Sequence, residues 1–201
     1  MTRSLSTLTL LLAVACGGTV APEDDPAGAV TAVAVLRDTT QVGDGPLLVT
    51  RADGRVDTVP VAARRAWLLD EGRQVAWSSG NGAGGYENEG EALHVAPADS
   101  LGDVAPIARE VFPILKVTEI DAPDGTPWLV LGMQDGGAGM PHVAIVAPGR
   151  GTVYRAIRGR FAGTDSTGLA IAILRAEGDT TTLRETLTWA ALAELPTLAL
   201  P

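Results

Sequence analysis

Short apolar runs recur along the chain, each roughly four to eight residues long and closed by Gly, Asp, Pro or Ser. That is the pattern of β-strands joined by tight turns. From residue 30 onward the runs fall at 30–36, 47–50, 56–61, 66–69, 74–78, 92–96, 114–120, 128–131, 143–147, 153–157 and 169–174. Asp53-Gly54, Glu71-Gly72, Asp124-Gly125 and Glu177-Gly178 stand between them. An acidic residue followed by Gly is a hairpin signal, because Gly accepts positive φ without a steric penalty. Short connections make neighbouring strands pair antiparallel. One segment reads as a helix, residues 189–195, with Thr188 placed to cap it and Pro196 to stop it.

The pattern repeats weakly. Trp67 to Ser79 is strand, acidic-Gly turn, strand, and Ile120 to Leu131 has the same shape. Ala162 to Ile171 reads as a degraded third copy. The glycines Gly72, Gly125 and Gly168 recur at intervals of roughly 40–55 residues, near the period of a four-stranded propeller blade. The stretches Leu93-His94-Val95-Ala96-Pro97 and Ala144-Ile145-Val146-Ala147-Pro148 echo one another as well. With its Pro123-Asp124-Gly125 turn and its Val75-Ala76-Trp77-Ser78-Ser79 strand, the chain resembles the blade repeat of Tol-type periplasmic and prolyl-oligopeptidase-type β-propellers. The resemblance covers about half the chain. The expected fold is all-β, an antiparallel meander forming a small β-propeller-like domain. A β-sandwich or a barrel is the alternative, since either produces a similar strand pattern.

The N-terminus is different in kind. Arg3 precedes an apolar run through Leu10, Leu11, Leu12, Ala13 and Val14, which is too short to span a bilayer and has the layout of a secretory signal. It ends on Ala15-Cys16-Gly17-Gly18 and resembles the lipobox of bacterial lipoproteins. The resemblance implies cleavage before Cys16 and lipidation of the Cys16 thiol. Membrane attachment through several acyl chains would follow. Gly17 and Gly18, with no Asp at the second mature position, imply an outer-membrane destination if the host has one. Residues 17–29 are small, acidic and broken by Pro22 and Pro26, as in a flexible tether. The expected organisation is therefore a signal peptide at 1–15, a lipid-anchored tether at 16–29 and an all-β domain at 30–201.

Composition narrows the partners. The 201 residues carry 15 Lys+Arg against 24 Asp+Glu, a formal net charge of −9, which argues against nucleic acid. Cys16 is the single cysteine, so no intramolecular disulfide framework exists.

Two Gly-rich loops, 79–91 and 134–141, hold the candidate chemistry. An expected count of four intervening strands, one more than the three clear apolar runs between them, puts both on one edge of a meander. The only two histidines, His94 and His142, follow them directly. With Glu87, Glu89, Glu91 and Asp135 they make a candidate site for a divalent cation. Imidazole and carboxylate together suit Zn²⁺, and the oxygen-rich first loop alone suits Ca²⁺. No His-Glu-x-x-His or EF-hand spacing is present, and solvated hairpin connections are the plain alternative. Gly163-Thr164-Asp165-Ser166-Thr167-Gly168 is not a nucleophile elbow.

The expectation is a lipid-anchored envelope protein with a non-catalytic all-β domain that binds an envelope protein partner or scaffolds at the membrane. A small-ligand or cation-binding module is the alternative, and a hydrolase the lesser one.

Overall fold

The computed structural model describes residues 29–36, 43–80, 90–174 and 182–199. Cys16, the tether up to residue 28, most of the first Gly-rich loop and Glu177-Gly178 lie outside them. The described residues form an all-β protein of four antiparallel sheets laid down in chain order.

The first sheet is β1 (Val30–Val35), β2 (Gly45–Arg51) and β3 (Val56–Ala63). The second is β4 (Arg65–Leu69), β5 (Gln74–Gly80), β6 (Glu91–Pro97) and the short β7 (Ala108–Glu110). The third is β8 (Ile114–Asp121), β9 (Pro127–Gln134), β10 (Pro141–Ala147) and β11 (Gly151–Ile157). The fourth is β12 (Gly159–Thr164), β13 (Gly168–Leu174) and β14 (Thr182–Thr188), followed by α1 (Trp189–Glu194). Every strand pairs with its sequence neighbour, the simplest outcome of short connections.

The core follows the same serial order. Val30, Leu47, Val49, Val75 and Trp77 fill the space between the first and second sheets. Leu69, Leu93, Ile114, Leu131 and Met133 fill that between the second and third. Val130, Ile145, Leu169, Ile171 and Leu192 join the third sheet to the fourth and to α1. Alternation along a strand produces this: on β9, Leu129, Leu131 and Met133 face one neighbouring sheet while Trp128 and Val130 face the other. Both faces of the middle sheets are buried, so their strands read as nearly continuous apolar runs.

The turns behave unequally. Gly54, Gly72 and Gly125 all have positive φ. Gly125 is open, with nothing near a would-be Cβ, whereas a Cβ on Gly72 would lie 2.2 Å from the Val30 carbonyl oxygen. Gly72 therefore meets two demands at once, a left-handed turn and the close passage of β1. Asp70 and Glu71 also take positive φ, and Glu119 of β8 braces the turn by accepting from the Asp70 N–H at 2.6 Å. The third copy keeps the strand, turn, strand shape in β12 and β13, but its Gly168 begins β13 and lacks the positive φ of Gly72 and Gly125.

Helix α1 starts as its sequence demands. The Thr188 hydroxyl accepts from the Ala191 N–H at 3.2 Å. Beyond α1 the chain returns along β11, where the Leu198 N–H donates to the Thr152 carbonyl and the Arg150 guanidinium donates to the Ala193 and Leu195 carbonyls. Among the described residues no helix is long and apolar enough to cross a membrane.

Candidate functional site

The strand ends flanking the two Gly-rich loops come together at one end of the second and third sheets. Gly80 pairs with Glu91 across the first loop, and Gln134 pairs with Pro141 across the second. Glu91 joins the two ends directly. Its Oε2 accepts from the Ile114 N–H at 2.9 Å, and Ile114 is opposite Met133. Its Oε1 takes the Arg65 guanidinium at 2.7 Å. Glu91 is buried and fully engaged, so it serves as a strut between sheets.

Opposite Glu91 on β7 stands a second buried carboxylate, Glu110. It accepts from the Thr152 hydroxyl at 2.7 Å and pairs with the Arg155 guanidinium, also at 2.7 Å. Two facing carboxylates repel. Here each has its own arginine, Arg65 from β4 and Arg155 from β11.

The two histidines are not brought together. The His94 ring stacks on Trp77, with centroids 5.2 Å apart and planes 6° apart, in the core between the first and second sheets. The His142 ring stacks on Phe112 at 4.1 Å, against the core between the second and third. A shared loop edge does not imply a shared face.

His142 is buried, and among the described residues its Nε2 has no hydrogen-bond partner. Asp135 Oδ2 is 3.7 Å away, too far for a hydrogen bond. Burial acts to raise the Asp135 carboxyl, but N–H donors from Met140 and Ala138 and the nearby imidazole outweigh it and hold the carboxyl below the usual range. Glu87 and Glu89 lie outside the described residues. Within those, no three His, Cys, Asp or Glu groups converge as metal ligands.

His94, by contrast, is satisfied at both nitrogens. Nδ1 is 2.8 Å from the Val104 carbonyl oxygen and Nε2 is 2.9 Å from Ser79 Oγ. A carbonyl only accepts, so Nδ1 carries the proton. In the neutral ring Nε2 is then the acceptor, and the Ser79 hydroxyl donates to it. Ser79 was not a sequence candidate. The only available signal was its position two residues past Trp77 on the face that carries His94, and the length of the intervening loop hides that register.

Two hollows lie apart from this pair. One of about 280 Å³ is lined by Leu69, Val95, Ile107, Leu129 and Val146, between the second and third sheets. Another of about 160 Å³ is flanked by Lys116 and Arg160, with Thr118 and Phe161 among its walls.

Comparison with protein-family models, curated proteins and solved structures gives no match for this chain.

Proposed function

We propose that the protein is a lipid-anchored module of the cell envelope. Its all-β domain, arranged like the blades of a small propeller, binds an envelope protein partner or scaffolds at the membrane surface. The observation that carries the reading is the serial core: each sheet shares buried residues with its chain neighbours, as successive blades do. Such stacking leaves the connecting loops at the sheet ends, where contact surfaces are commonly built. The envelope location is supported by the sequence ending at Cys16. Nothing helical among the described residues would hold the chain in a bilayer, so the proposed anchor is lipid.

The test is Cys16→Ser in the full chain, followed by metabolic labelling with a tritiated fatty acid and by fractionation. The expected result is loss of the label and accumulation of uncleaved or soluble protein. A mutant that is cleaved and sediments with membrane as the wild type does removes the anchor. Cross-linking in intact envelopes tests the partner. A defined adduct lost on disruption of the domain supports the interaction reading, and no adduct at all counts against it.

A further inference from the structure

The Ser79–His94 pair has the geometry of a nucleophile beside its base. Ser79 Oγ lies 2.9 Å from His94 Nε2, within the range for proton transfer. The far side of the ring is tied at Nδ1 to the Val104 carbonyl, contributed by the irregular segment between β6 and β7. Trp77 fixes the ring plane from one side. A hydroxyl, a base and a third group that sets the tautomer of that base are the three parts nucleophilic catalysis requires.

The next residue supplies what the reaction would need at its carbonyl oxygen. The Gly80 N–H points at Asp44 Oδ2, 3.2 Å away, and Arg64 Nε donates to Asp44 Oδ1 at 2.7 Å. The Arg64 guanidinium lies so close to Gly80 that a Cβ there would be 2.5 Å from one of its nitrogens. A backbone N–H following the serine and a guanidinium together form a carboxylate cradle directly after Ser79, and in this structure Asp44 fills it. The acid product of ester hydrolysis is also a carboxylate. Ser79 and Gly80 are both partly exposed at the rim of the second sheet, where an ester could approach.

We propose that Ser79 and His94 form an ester-hydrolysing site, with the Gly80 N–H and Arg64 as donors to the developing oxyanion. Its substrate class is a carboxylic ester. Ser79 Oγ attacks the ester carbonyl while its proton passes to His94 Nε2. The tetrahedral oxyanion is held by Gly80 and Arg64 after Asp44 is displaced. Collapse breaks the ester C–O bond, and the proton on Nε2 goes to the departing alkoxide, leaving acyl-Ser79 and an alcohol. Water then attacks the acyl carbon, giving a proton to Nε2. The acid leaves as Ser79 recovers that proton. The balance is ester plus water to acid plus alcohol, with no cofactor. Because Val104 offers a neutral carbonyl where a carboxylate often stands, the imidazolium is less stabilised and turnover is expected to be slow.

This proposal is independent of the anchor and partner reading. The experiment treats the full-length chain with a fluorophosphonate and locates the adduct by peptide mass mapping, alongside hydrolysis of 4-nitrophenyl acetate. The expected result is an adduct on Ser79, absent in Ser79→Ala, and about 100-fold slower labelling in His94→Gln with unchanged circular dichroism. Asp44→Ala empties the cradle and is expected to speed labelling several-fold, by analogy with the cost of blocking a single oxyanion donor. An unmodified Ser79 peptide in both the wild type and Asp44→Ala overturns the proposal, and so does ester hydrolysis that survives intact in Ser79→Ala. Either result leaves the hydrogen bond as a structural one.

Discussion

The second sheet buries one face against the first sheet and the other against the third, using different materials for each. Toward the first sheet the buried cluster is apolar, built on Leu47, Val49, Val75, Trp77 and Ala96, its one histidine is bonded at both nitrogens, and polar links such as Gly80 N–H to Asp44 and Arg51 to the Ala98 carbonyl lie at its partly exposed edge. Toward the third sheet the apolar core also contains the buried carboxylates Glu91 and Glu110, and a Ser78 hydroxyl and a His142 Nε2 that have no hydrogen-bond partner among the described residues. Apolar burial is strong but non-directional. The carboxylates are directional: Glu91 takes the Ile114 N–H, Glu110 takes Arg155 and Thr152, and Glu119 reaches back to the Asp70 N–H. Three such links fix how the second and third sheets register, a property that apolar packing alone specifies weakly. They also make this interface the less forgiving of the two, because a buried charge tolerates loss of its partner poorly.

The largest expected effect tests that contrast. Arg155→Ala removes the guanidinium paired with the buried Glu110 carboxylate and should cost about 3–5 kcal/mol. Urea denaturation measures it. A loss well under 1 kcal/mol would mean that water reaches Glu110 once the guanidinium is gone, and the interface would then be no stiffer than its neighbour.

A smaller effect separates the histidines. His94→Phe removes two satisfied hydrogen bonds and is expected to lower stability by about 1–3 kcal/mol. His142→Phe removes a buried nitrogen with no partner among the described residues, and is expected to be neutral or to stabilise by up to about 1 kcal/mol. Thermal melts of the two variants side by side decide the matter. If His142→Phe is the damaging change, its Nε2 has a partner in the protein in solution.

The smallest effect concerns the exposed parts. Asp57 on β3 is held below the usual carboxylate range by its hydrogen bond from Arg51, with Arg55 adding to it. The Thr126 backbone N–H does the same for Asp124, and the Thr167 hydroxyl for Asp165. A carboxylate whose folded pKa is depressed contributes stability above its unfolded pKa, near 3.9 for Asp, and loses it as pH falls through the folded value. Stability is therefore expected to decline below about pH 4, with Asp57→Asn slightly flattening that limb. Denaturation between pH 2 and 5 measures it. An identical limb in the mutant would mean that the acid sensitivity comes from elsewhere. At the opposite extreme, burial and the Glu185 carboxylate push the Tyr154 phenol above its ordinary range, so it stays protonated through neutral pH.

Much of the architecture was legible from residue pattern alone. Eleven apolar runs correspond to strands, because alternation and acidic-Gly turns are local properties of the chain. The Thr188 cap and Pro196 delimit α1 for the same reason. Three strands carried no such signal. β7 is only three residues, Ala108–Glu110, two of them buried, and it becomes a strand by pairing with β6. β12 is interrupted by Gly159 and Gly163. β14, with Arg184, Glu185 and Thr186 along it, is an edge strand whose polar residues suit solvent.

The site divided along the same line. Composition and spacing marked His94, His142, Glu91 and Asp135 as chemically capable. The strand ends flanking the two Gly-rich loops share one end because four strands, β6 to β9, intervene, and one of these is β7, which the apolar runs alone do not mark. Which sheet each side chain faces does not follow from that count. It depends on inter-strand register and on which neighbour a face packs against, and both are settled by contacts between residues far apart in the chain. That separated His94 from His142, made Glu91 a strut paired with Arg65, and set Ser79 against His94. Local pattern determines what each segment can become, while the pairing of distant segments decides which polar groups meet, because a hydrogen bond needs atoms within about 3 Å and sequence distance says nothing of that.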